Sequence, residues 1–184
     1  ENKDYKFKYS NFGISVIGLV LEKIYDKDFV TLMSKFIVSY LNLENTKVAT
    51  CTGNLKGYWN WKNDDGYIPA GAIISNIEDM TKYLELYIDS NKDYITNTIK
   101  HLKEINANNF MYEKMNINLD NIGMAWIIDR KNNIIWHNGG TSKFNSYIAF
   151  NKEKKIGVVI LANTSPSEKI PMTAIGAKIM TELK

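Results

Sequence analysis

The hydrophobic period of this chain changes near Ile122, and that change restricts the folds open to it. Upstream, apolar residues recur every three or four positions, as the helical repeat requires; downstream they fall in short β-rich runs. Met124 to Ile128, Asn133 to His137, Asn145 to Phe150 and Ile156 to Leu161 read as strands separated by charged or glycine-bearing turns. Strands so close in sequence predict an antiparallel meander. The order is helices, then strands, then a last helix. It points to an α+β fold, an antiparallel β-sheet flanked by helices with a helical lobe, rather than to alternating α/β units.

The first helix is expected after Asn11, which is placed to cap it, with Ile14, Ile17, Gly18, Leu21, Ile24 and Tyr25 on one apolar face. A second should run from Asp28, itself a cap, through Phe29, Met33, Phe36, Ile37 and Tyr40. Val48 to Gly71 has no clean period and is rich in Gly, Asn, Trp and Tyr. It reads as a long irregular connection, a kind of segment that often serves function. Helical spacing resumes near Asn76, with Met80, Tyr83, Leu84 and Tyr87 on one face, and returns weakly from Asp93 to Ile105. A final helix starts near Pro171 and offers Ile175, Ile179 and Met180 to the sheet. No repeat, low-complexity tract or linker divides residues 1–184, so they are expected to be part of one domain.

Charge and cysteine content exclude several classes of function. The formal net charge is +3 over 184 residues and the lysines are interspersed with Asp and Glu, so nothing supports nucleic-acid binding. One cysteine, Cys51, allows neither an internal disulfide nor a cysteine-based metal cluster, and is expected to be a small semi-buried apolar residue. No apolar run is long enough for a membrane span, and Glu1 to Lys8 lack a signal-peptide pattern. A chain that begins Glu-Asn-Lys without methionine is expected to be a piece of a longer product.

Two segments carry candidate chemistry. Tyr9-Ser10-Asn11 precedes a strongly amphipathic helix, so Tyr9 would be displayed on a loop fixed by a rigid element. Tyr-x-Asn recurs at Tyr40 and Tyr58, however, so the pattern alone says little, and Tyr9 as a core aromatic beside a capping Asn11 remains a complete alternative. His137-Asn138-Gly139-Gly140-Thr141 ends a predicted strand. There a titratable ring lies beside backbone that a ligand can approach closely, and edge amides are free to bind an acyl group. The alternative is a hairpin with a structural glycine turn. His101, flanked by Lys100 and Lys103, is expected on the surface.

Taken in order, several stretches resemble the class C β-lactamase and penicillin-binding protein-like serine hydrolases. They are Tyr9-Ser10-Asn11-Phe12-Gly13-Ile14 with Leu19, Glu22 and Lys23, then Pro69-Ala70-Gly71 with Ser75 and Glu78-Asp79-Met80, then His137 to Thr141, and then Gly157 to Asn163. The resemblance implies the carboxy-terminal part of a catalytic domain in which a sheet and a helical lobe share a cleft. It makes Tyr9 a proton shuttle for the serine and the leaving group. A phenol with the reference pKa of about 10 is a poor base at neutral pH, so that role calls for cationic neighbours. Asn11 would donate its amide to substrate or to a neighbouring lysine, and His137 would stand where some members carry the Lys of Lys-Thr-Gly and others His, to interact with Tyr9 or the polar end of the substrate. Gly139 would keep the strand edge clear, the Gly140 amide would form half of an oxyanion hole, and Thr141 would complete the substrate-binding edge.

Two departures qualify the resemblance. The family's nucleophile lies in Ser-x-x-Lys, yet no serine here has Lys three residues later; Ser15, for example, is followed by Gly18 and Ser34 by Ile37. The expectation is therefore truncation, an inert chain, and an uncovered surface met by the missing amino-terminal half or by a homodimer partner. Lys143 stands where relatives usually have glycine, and would either narrow the cleft or select an anionic substrate. The substrate would be a small molecule or peptide (β-lactam, D-amino-acid peptide or ester), with no cofactor and no metal. The resemblance implies an extracellular, cell-surface or periplasmic location. Two other readings stay open: a non-catalytic sensor of peptidoglycan-type ligands on the same fold, and an unrelated α+β interaction domain.

Overall fold

Short polar side chains fix where the long amino-terminal helices start. In the computed structural model, which describes residues 6–48, 59, 61–108, 110–168 and 171–183, α1 spans Asn11–Tyr25. Its cap is Ser10 and not Asn11: Ser10 has extended backbone (φ −150°, ψ 105°) and its Oγ accepts the Gly13 N–H at 3.0 Å. Asn11 is thereby the first helical residue, and its side chain is released from capping. Helix α2 (Phe29–Ser39) starts as expected, with Asp28 accepting from the Thr31 N–H at 2.8 Å and from its hydroxyl at 2.7 Å.

The chain continues through β1 (Lys47–Val48), the short α3 (Ile68–Gly71) and β2 (Ile73–Ile74), which pairs antiparallel with β1. Cys51 and nearly half of the aromatic connection lie outside the described residues. Helix α4 (Ile77–Asp89) is capped by Asn76, whose Oδ1 accepts the Asp79 N–H at 2.9 Å. The weak helical pattern after Asp93 yields only α5 (Asp93–Thr96) and a 3-10 turn (Asn97–Ile99), then a strand, β3 (Lys103–Glu104). Pairing overrides the helical spacing there. Met124 N–H donates to the Thr98 carbonyl at 2.7 Å and Leu102 N–H to the Ile122 carbonyl at 2.9 Å.

A five-residue helix, α6 (Phe110–Lys114), precedes β4 (Asn121–Ile122), β5 (Ile127–Asp129), β6 (Ile134–Gly140), β7 (Asn145–Asn151) and β8 (Ile156–Ala162). With β3 these form one six-stranded antiparallel sheet in the order β3-β4-β5-β6-β7-β8. The predicted meander is present, extended by two strands of two residues each. The run predicted from Met124 begins at Ile127, because Ala125 is left-handed (φ 64°) and breaks the ladder.

Alternation along the strands gives the sheet two apolar faces. Ile135, Ile148, Phe150 and Val159 face α4 with Leu84 and Tyr87, whereas Trp136, Tyr147, Ala149 and Ile160 face α7 (Met172–Glu182). In α7 the predicted Met180 is buried, but Ile175 and Ile179 turn outward and Gly176 and Ala177 take the contact. A Cβ on Gly176 would stand 2.1 Å from the Tyr147 ring, so this close helix-to-sheet approach needs glycine.

Helix α1 packs through only part of its predicted apolar face. Its contact face is Ser15 and Gly18, with Gly18 so close that a Cβ would meet Pro69 Cγ at 2.2 Å. Of the other residues on the predicted face Leu21 is half-buried, whereas Ile17 at 55% and Ile24 at 67% exposure meet solvent, with Phe12, Leu19, Val20 and Tyr25 exposed beside them. The periodicity located an apolar stripe correctly, but these residues do not cover it.

Candidate active site

The start of α1, the segment around α3 and β2, and the ends of β6, β7 and β8 enclose a cleft of about 990 Å³. Tyr9 and Asn11 line it from one side, His137, Asn138, Gly139, Gly140 and Thr141 from another. The Tyr9 and His137 rings are 128 residues apart in sequence (137 − 9), yet their centroids are 6.2 Å apart at an interplanar angle of 37°. The Ser10 cap and the Gly18–Pro69 contact hold the α1 end of this arrangement; the β6 ladder holds the other.

The register of β6 explains why its end is open. Strand β5 pairs only with Ile134, Ile135 and Trp136, so on that side His137 to Gly140 have no strand neighbour. Adjacent residues of a strand direct their N–H groups to opposite edges. Thr141 N–H donates toward β7, to the Phe144 carbonyl at 2.9 Å, so the Gly140 N–H one residue earlier points to the open edge. The geometry thus turns a backbone donor toward the open edge of β6. A Cβ at Gly139 would meet the Ser146 Oγ at 2.7 Å, so a larger residue there would crowd the cleft face.

His137 is half-buried, and desolvation pushes its pKa below the ordinary imidazole value, partly opposed by a backbone hydrogen bond at Asn138. At neutral pH the ring is therefore uncharged, with one nitrogen to donate and one to accept. Asn138 turns away to the α7 face, where its Nδ2 donates to Thr173 Oγ1 at 3.0 Å. Lys143 is exposed and is not among the cleft-lining residues. His101 is exposed, as expected.

A buried carboxylate braces the cleft from beneath. Asp79 is fully buried and accepts from the Asn45 N–H at 2.7 Å and the Thr46 hydroxyl at 2.8 Å. Burial alone would raise its pKa, but hydrogen bonds from Thr46 and Asn45 outweigh that and hold it below the usual carboxylate value. Ser75 and Met80, which line the cleft, flank this anchor. Trp59, Trp61 and Tyr67 also line the cleft and were not singled out from sequence; the aromatic richness of their segment was the available signal. Among the described residues, no group of three or more His, Cys, Asp or Glu is placed to hold a metal ion.

Comparison with known proteins agrees with this architecture. The family model described as Beta-lactamase matches residues 4–177. The chain belongs to the Beta-lactamase family. No serine of this sequence is followed by Lys three residues later. Protein flp of Staphylococcus aureus strain N315 is 20% identical over 193 residues, a match that covers 90% of this chain and 35% of that protein. This family member thus spans about a third of the length of the curated relatives it matches.

Solved structures share the β-lactamase fold. A β-lactamase/D-alanine carboxypeptidase from Yersinia pestis superposes with a TM-score of 0.74 at 20% identity, covering 95% of this chain and 54% of that one. An octameric penicillin-binding protein homologue from Pyrococcus abyssi gives 0.76 at 20% identity, covering 100% and 44%. A D-amino acid amidase from Ochrobactrum anthropi gives 0.67 at 15% identity, covering 97% and 57%.

Proposed function

We propose that this chain supplies one wall of the acyl-transfer site of a serine hydrolase that cleaves an amide or ester through an acyl-enzyme. The observation that carries the reading is the meeting of Tyr9 and His137 in one cleft beside the unpaired end of β6. The names of similar proteins, which include a β-lactamase/D-alanine carboxypeptidase and a D-amino acid amidase, support an amide-type substrate.

In this scheme a serine hydroxyl from polypeptide outside these residues attacks the substrate carbonyl. Its proton passes to the Tyr9 oxygen as the C–O bond forms, a role for which that outside polypeptide must supply the cationic neighbours a phenol needs to act as a base. The oxyanion is held by the Gly140 N–H, and collapse expels the leaving group, which takes the proton from Tyr9; water then reverses the sequence to release the acid. The Asn11 amide and the neutral His137 ring hold the polar end of the substrate, with Thr141 and the Gly139 backbone forming the edge against which it lies. The exposed apolar stripe of α1 supports the view that further polypeptide, the rest of the fold or a second copy, completes the structure.

The test compares the whole gene product with the isolated chain. Fluorescent-penicillin labelling or p-nitrophenyl ester hydrolysis is expected from the whole product, with kcat reduced by about 10²–10⁴ in Tyr9→Phe. The isolated 184-residue chain is expected to be inert. Turnover by the isolated chain, or a whole product indifferent to Tyr9→Phe, would end this assignment.

A further inference from the structure

Trp59, Trp61 and Tyr67 give the cleft an aromatic wall. Trp59 and Trp61 meet edge to face, ring centroids 5.5 Å apart at 67°, and Trp61 N–H donates to the Trp59 carbonyl at 3.0 Å. The Trp61 ring also lies against the backbone of Gly71, where a Cβ would be at 3.6 Å, so the pair is held in place by the protein itself. Trp59 at 47% and Tyr67 at 52% exposure nevertheless leave large apolar faces turned toward solvent. Ile73 and Leu161 extend the same apolar lining.

Charge gives an independent observation. None of the described residues that line the cleft is Asp, Glu, Lys or Arg, and Lys143, the nearest candidate in sequence, lies outside the lining. His137 adds no positive charge at neutral pH, because desolvation favours its neutral form. An anionic group pressed against this wall would lose water and find no cation among the described lining residues, whereas an aryl group would gain stacking and edge contacts.

We infer that the substrate carries an uncharged aromatic acyl group, seated against Trp59, Trp61 and Tyr67. This rests on the hydrolase reading above and adds to it the class of acyl group.

The experiment uses the whole gene product and the p-nitrophenyl esters of phenylacetate, acetate and 4-carboxyphenylacetate. The first and third differ by one remote carboxylate, and the first and second by one ring. Phenylacetate is expected to exceed each of the others in kcat/KM by about tenfold or more. Trp59→Ala and Tyr67→Ala, at half-exposed positions outside the core, should each lower the phenylacetate-to-acetate ratio. Equal rates for the three esters, a preference for the carboxylated ester, or a ratio unmoved by both substitutions would overturn the inference while leaving the hydrolase intact. Failure to turn over any ester, together with no penicillin labelling, would remove the hydrolase reading and this inference with it.

Discussion

Replacing Asp79 with Ala should destabilise the fold heavily although the residue lies beneath the proposed chemistry. Its carboxylate is fully buried and accepts two hydrogen bonds from the 45–46 segment, at 2.7 and 2.8 Å. A hydrogen bond to a charged group contributes about 1.5–3 kcal/mol. Thr46 keeps a partner in the Ser75 hydroxyl at 2.7 Å, so its loss falls at the low end, while the Asn45 N–H is left without its acceptor. The Lys82 ammonium, half exposed and 3.7 Å away, adds little. The sum is about 3–4 kcal/mol, or a fall in melting temperature of about 6–16 °C for a chain of this size.

Urea unfolding at pH 7 and in acid provides the assay. Because hydrogen bonds hold the folded carboxyl below its ordinary value of 3.8, the unfolded chain binds the proton first as pH falls. The stabilisation is therefore complete above about pH 5 and disappears as pH drops through the folded value. The gap between wild type and Asp79→Ala should narrow accordingly. A gap under about 1 kcal/mol at pH 7, or one that does not change in acid, refutes the reasoning.

Gly176→Ala places a methyl 2.1 Å from the Tyr147 ring and should cost about 1–3 kcal/mol in chemical denaturation, with α7 displaced from the sheet. The His137 imidazole should titrate below 6.5 by NMR of its ring protons. Since the unfolded chain takes up that proton first, stability should be lost as pH falls from 6.5 toward the folded value, and His137→Gln should remove this component. Ser10→Ala deletes the α1 cap and should cost about 1 kcal/mol in thermal melts, while Ser10→Asp should recover most of it.

The sheet was legible because its strands are short, adjacent and separated by turn residues, so local pattern and tertiary pairing agree. Asp28 was legible as a cap for the same reason. Ser10 and Asn11 are both good caps, and only the backbone dihedrals decide between them; the outcome matters because it leaves Asn11 facing the cleft. Strands β3 and β4 were hidden because two residues carry no period, and Lys103 and Glu104 take their conformation from Asn121 and Ile122 across the ladder. The candidate pair Tyr9 and His137 came from resemblance. Each residue alone had an ordinary structural explanation, and their juxtaposition needed the fold. The aromatic wall escaped because Trp59, Trp61 and Tyr67 follow no period and the cleft gathers them from an irregular segment.

The solvent-facing side of α1 has a practical consequence for anyone handling these 184 residues in isolation. Phe12, Ile17, Leu19, Val20 and Ile24 form an oily ridge that water tolerates poorly. Preparations should bind fluorescent hydrophobic dyes, sediment faster as concentration rises, and stay dispersed in mild detergent, until a covering surface occupies the ridge.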